Sequence, residues 1–209
     1  MKINTMKIHR FRNFRLMALL FGTILVTSCS KDDDVPEEEN ELEVITDVTL
    51  VFTNTADAND VVEATAQDPD GIGIQELVIL NEIDLDAGKT YTLTFEIFNN
   101  LETPGEDIGD EILEEANEHQ FFFGFSDDAF TNPAGNGNID TASDPISYND
   151  KDENGNPVGL STTWTTAVTA LSGGTFTVRL KHQPDVKTST SGANDGETDF
   201  NLLFSLNIQ

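Results

Sequence analysis

The chain has one cysteine, Cys29, and beyond residue 28 it has only six lysines or arginines. A lone cysteine cannot close an intramolecular disulfide, so the fold must be held by apolar burial, for which the chain is long enough to form one domain. The shortage of cations stands against 38 acids, all of them after residue 28. A surface of that sign repels phosphate, which excludes nucleic acid as a partner, and it attracts cations or basic proteins. There is no Gly-x-Ser-x-Gly elbow, no Walker-type phosphate loop, no internal repeat and no second long apolar run. With no signature of nucleophilic or nucleotide chemistry, an enzyme is not expected.

What is present begins at the amino terminus. Lys2, Lys7, Arg10, Arg12 and Arg15 precede an apolar run from Leu16 to Val26, and no acid occurs before Cys29. A basic start, a short apolar stretch and small residues at its end predict a signal peptide over 1–28, too short to span a bilayer comfortably. Val26-Thr27-Ser28-Cys29 resembles the lipobox of bacterial lipoproteins. That resemblance implies cleavage before Cys29 and acylation there, a membrane anchor worth about 0.8 kcal/mol per buried methylene. Residues 29–43 are too charged to pack and read as a solvated tether. Their start, Ser30-Lys31-Asp32-Asp33-Asp34, resembles the export signal of Bacteroidetes surface lipoproteins. The expected location is the outer membrane, at the cell surface.

From residue 44 to residue 209 the pattern has period two, the mark of half-buried strands. Val48, Leu50 and Phe52 share a face, as do Tyr91, Leu93, Phe95 and Ile97, then Phe176, Val178 and Leu180, then Phe200 to Ile208 at alternate positions. Weaker strands are expected within 61–66, 76–80 and 160–171. Turn residues separate them at Asp68-Pro69-Asp70-Gly71, Asp86-Ala87-Gly88-Lys89 and Ser172-Gly173-Gly174. The prediction is a single all-β domain, an antiparallel immunoglobulin-like β-sandwich, with a closed barrel as the alternative. One short helix is expected as an insertion. Thr103-Pro104-Gly105-Glu106 has the form of a capping box, and Ile108, Ile112 and Ala116, with Leu113 beside them, would make an inner stripe to about Asn117. Residues 127–159 form a long polar insertion, of a length usually tied to function or disorder.

Three segments, His119-Gln120-Phe121-Phe122-Phe123-Gly124-Phe125, Leu160-Ser161-Thr162-Thr163-Trp164-Thr165 and Leu180-Lys181-His182-Gln183-Pro184, resemble a group of flavobacterial lipoproteins labelled "type 1 periplasmic binding fold superfamily". The label implies parallel sheets alternating with long helices. The residue pattern itself predicts the sandwich.

Two sets of residues could hold a cation. His119 and His182 are the only histidines after residue 28, and each lies in phase with an apolar face: His119 with Phe121, Phe123 and Phe125, His182 with Phe176, Val178 and Leu180. Glu111, Glu115 and Glu118 would share one side of the helix, near a carboxyl end that disfavours acids. Two imidazoles with Glu115 or Glu118 suit zinc or another divalent transition metal. The bland alternative is a pair of core-edge histidines bonded to backbone. The second set is Asp150-Lys151-Asp152-Glu153-Asn154-Gly155, the first half of a calcium loop. Ser161 stands where an EF-hand carries its bidentate glutamate, so Asp140 or Asp144 would have to complete a calcium site built on Asp150, Asp152 and Asn154. The functional expectation is a lipoprotein that binds a small ligand or metal ion, with an outer-membrane receptor or transporter as partner. Its competitor is a structural or adhesive surface module with a calcium-stiffened loop.

Overall fold

The structure, a computed structural model, describes residues 43–209 except 69, 71–75 and 102. The expected signal peptide, Cys29 and all of the tether but Glu43 lie outside the described residues.

Strand β1 (Asp47–Asn54) alternates half-buried and buried positions, with Val48, Leu50 and Phe52 turned fully inward. It lies antiparallel to β5 (Thr90–Asn99), so that Leu50 faces Phe95 and Phe52 faces Leu93 across the ladder. On the other side of β1 come β2 (Val61–Gln67) and β3 (Val78–Ile79). Beyond β5 come β9 (Ser161–Thr166) and β8 (Phe130–Asn132), and β6 (Glu106–Asp107) pairs with the end of β5. The second sheet runs in the order β4 (Ile83–Leu85), β11 (Glu197–Ile208), β10 (Leu171–His182), β7 (His119–Phe125). The fold is an all-β sandwich, as the alternation predicts. One pair departs from the antiparallel expectation: β4 runs parallel to β11, with Ile83 beside Leu206 and Leu85 beside Ile208. Side-chain alternation has the same period in either direction, so it carries no information on that point.

Aromatic residues fill the space between the sheets. Trp164 meets Phe123, Phe130 and Phe176 edge-on at 5.3, 4.9 and 5.0 Å between centroids, and Phe52 meets Phe176 at 5.7 Å. Rings of this size bury roughly 150–250 Å² each and prefer this edge-to-face packing.

The helix differs from its expectation at both ends. It spans Ile108–Glu114, and its N-cap is Asp107, which accepts the Asp110 amide. The Thr103 capping box does not form because Glu106 and Asp107 pair first with Asn99 and Phe98 of β5. Ile108 and Ile112 are buried as predicted, whereas Leu113 is exposed. At the other end the last turn holds no basic residue and is followed by Glu115 and Glu118. Acids there oppose the helix dipole, and the helix stops short of Asn117.

Candidate metal centre

Both faces of β7 are covered, which is why His119, Gln120, Phe121, Phe122 and Phe123 are buried in succession. One face meets the opposite sheet. The insertion folds back along the open edge of β7: Tyr148 donates to the Phe121 carbonyl at 2.6 Å, and Asn138 accepts the Phe123 amide at 2.9 Å. Gly137 bridges to Gly124 with a positive φ, and a Cβ there would collide with the Phe123 carbonyl, so only glycine fits.

The β7–β10 register sets His119 directly opposite His182. Their rings stack 4.5 Å apart, 3° from parallel, and both are buried. The sequence parity of the two histidines is thereby realised at one end of the second sheet. Acids surround the pair. His119 Nδ1 lies 3.4 Å from the Glu115 carbonyl and 4.0 Å from its carboxylate, and His182 Nε2 lies 3.5 Å from Glu118. Ligand atoms of Glu115, His119 and His182 fall within 4.8 Å of one another.

Asp199 stands outside that group of three but beside His119, and sequence reasoning does not reach it. Alternation counted back from Phe200 puts Asp199 on the outer face. In the structure the β10–β11 register slips at this point: Leu180 pairs with Phe200 and Lys181 with Thr198, leaving Asp199 as the extra residue of a bulge. Bulges turn a side chain out of its normal alternation. The Asp199 side chain is wholly buried, with Oδ2 4.0 Å from His119 Nε2. Neither of its oxygens, nor either histidine Nε2, has a hydrogen-bond partner among the described residues.

Burial dominates the electrostatics. It pushes His119 down to about 4, helped by neighbouring His182, against the opposing pull of the Glu115 carbonyl, so the imidazole is neutral at pH 7. It pushes Asp199 up to about 6. His182, the Glu43 amide and Lys181 pull the other way, but the amide does not reach normal hydrogen-bond geometry. Next to Asp199 stands a carboxyl cluster. Glu111 is raised to about 7 by burial and by Glu106 and Glu43, and Glu43 is raised by burial and by Glu115.

The calcium residues are arranged differently. Asp152 accepts the Asn154 and Asn156 amides at 2.9 and 2.7 Å, and its other oxygen accepts the side chains of Asn156 and Lys187. Asp150 accepts the amides of Gly159 and Ser161, and the Asn154 side-chain amide donates to Asn117. Asp140 is exposed, Asp144 is half-buried, and neither joins Asp150 and Asp152 in a ligand cluster among the described residues. The loop is closed by its own hydrogen bonds, and the Lys187 ammonium supplies the positive charge beside Asp152. Addition of millimolar calcium is therefore expected to leave the melting temperature within a degree or so of its value in chelator, since only an ion that binds the folded state stabilises it by mass action. A rise of many degrees, lost in Asp150→Ala with Asp152→Ala, would restore the calcium loop.

Comparison of the chain with protein-family models, with curated proteins and with solved structures finds no match. The geometry of the centre is what bears on function.

Proposed function

We propose that this protein is a lipid-anchored, extracytoplasmic, non-catalytic binder of a divalent transition metal ion, held at the His119–His182 pair and passed to an outer-membrane partner. The observation that carries the reading is the pair itself. Two buried imidazoles lie opposite one another, each with an Nε2 that has no hydrogen-bond partner among the described residues, close to the carboxylates of Glu115, Glu118 and Asp199. Buried polar atoms are nearly always satisfied, and those that are not call for an explanation such as an ion. Neutral His119 can ligate at neutral pH with no proton to displace. A lone pair lies in the ring plane, so parallel rings cannot both address one ion, and one ring must turn. His182 is the freer of the two, because His119 is tied to the Glu115 carbonyl.

Zinc measured by equilibrium dialysis against the full chain is expected at near one ion per chain, and His182→Ala is expected to abolish it. Wild-type protein that retains no zinc at micromolar free metal would end the reading. Calcium binding alone would favour the structural surface module. The anchor is tested separately: Cys29→Ala is expected to stop incorporation of labelled fatty acid, and label that still enters that variant would refute the lipobox.

A further inference from the structure

We infer that Asp199 is a ligand of this metal, and that the ion sits on the Nε2 side of His119, between the imidazole and Asp199, rather than beside the Glu115 carboxylate. This rests on the reading above and changes its ligand set.

The tautomer of His119 decides the side. A carbonyl oxygen only accepts, so the contact from Nδ1 to the Glu115 carbonyl places the ring hydrogen on Nδ1. Histidines that ligate metals usually donate their other N–H to a backbone carbonyl or carboxylate in this way, which orients the ring. The lone pair is then on Nε2, and Nε2 faces Asp199. An imidazole lone pair and a carboxylate are both acceptors. Each is buried and neither meets a donor among the described residues, so the two repel unless a proton or a metal cation lies between them.

The distances agree. Metal–ligand bonds of about 2.0–2.2 Å at a tetrahedral angle put neighbouring ligand atoms about 3.4 Å apart. The 4.0 Å between Nε2 and Oδ2 closes to that with a shift of about 0.6 Å. Burial separates the two candidate carboxylates. The Glu115 side chain is 53% exposed and is solvated without any ion, whereas that of Asp199 is 0% exposed. An unpaired carboxylate in such a place is strongly unfavourable, and the bulge that puts it there interrupts a ladder that is otherwise regular from Gly174 to Leu180. His182 would have to turn to join His119 and Asp199, since the ligand atoms that lie together in the structure are those of Glu115, His119 and His182; Glu118 stands 3.5 Å from its Nε2.

The test compares isosteric variants of the full chain, with cobalt(II) and zinc as probes. Asp199→Asn is expected to weaken cobalt binding by at least about 100-fold, more than loss of an outer-shell partner does, while raising the melting temperature of the metal-free protein. A protein destabilised by a merely structural lesion would lose both. Glu115→Gln is expected to bind as wild type does. Imidazole ¹⁵N spectra give a readout that needs no variant: zinc should shift Nε2 of His119 and leave Nδ1 protonated. Ligation through Nδ1, or binding lost in Glu115→Gln and kept in Asp199→Asn, overturns the assignment of Asp199 and leaves the histidine centre standing. Failure of the wild type to bind cobalt or zinc overturns the histidine centre itself.

Discussion

Lys187→Ala is expected to lower unfolding stability by about 3–5 kcal/mol, the loss found when one partner of a buried ion pair is removed and the other is left in place. Its ammonium is 1% exposed and makes three contacts: the Asp152 carboxylate at 3.2 Å, the Ala116 carbonyl at 2.6 Å and the His119 carbonyl at 2.7 Å. One side chain thus joins the turn after α1, the first residue of β7 and the core of the insertion. Removing it leaves a carboxylate that is 0% exposed with neutral donors from Asn154 and Asn156 but without its cation, and takes a donor from two carbonyls. Urea unfolding at pH 7 measures the effect, and a cycle with Asp152→Asn isolates the pair. Lys187→Ala within 1 kcal/mol of wild type would show that the ammonium contributes no more than a surface ion pair does.

The second large effect concerns pH. His119 is held below its ordinary value of 6.5, at about 4, so its contribution to stability is present above about 6.5 and is lost as pH falls through about 4. Asp199 is held above its ordinary 3.8, at about 6, so its contribution is present below about 3.8 and is lost as pH rises through about 6. At 1.36 kcal/mol per pH unit each amounts to about 3 kcal/mol, with opposite sign and over nearly the same window. In the metal-free wild type the two largely cancel. Single variants expose them. Asp199→Asn is expected to be about 3 kcal/mol more stable than wild type at pH 7 and equal to it near pH 4. His119→Gln should gain on wild type by about 3 kcal/mol over the same descent. Urea midpoints taken in chelator from pH 4 to 7 test both, and variant curves that run parallel to wild type would remove the buried pair as their cause.

Much of the sandwich is legible in the sequence because alternation writes burial directly into residue type. Val48, Leu50 and Phe52 announce their face, and so do Phe176, Val178 and Leu180. The histidine pair is legible for the same reason, since parity placed both rings inward. Three features are not. The parallel pairing of β4 leaves no mark on alternation. The helix start moved because a two-residue ladder took Glu106 and Asp107, a tertiary contact that no local capping rule contains. Asp199 was hidden by the bulge: a slip of one residue reverses the face of whatever it displaces, and the acid most deeply set in the centre reads from the sequence as solvent-facing.

Glu43 is the first described residue of the domain, and it lies against the centre. Its amide approaches Asp199, and its carboxyl neighbours Glu111 and Glu115. The chain that enters the domain at Glu43 is therefore coupled to the centre through that residue. A pull on that chain reaches the carboxyl-rich rim before it reaches the β1 ladder, which begins only at Asp47. Tension arriving at Glu43 would meet the carboxyl-rich rim two residues before it meets Ile45, where the apolar core begins.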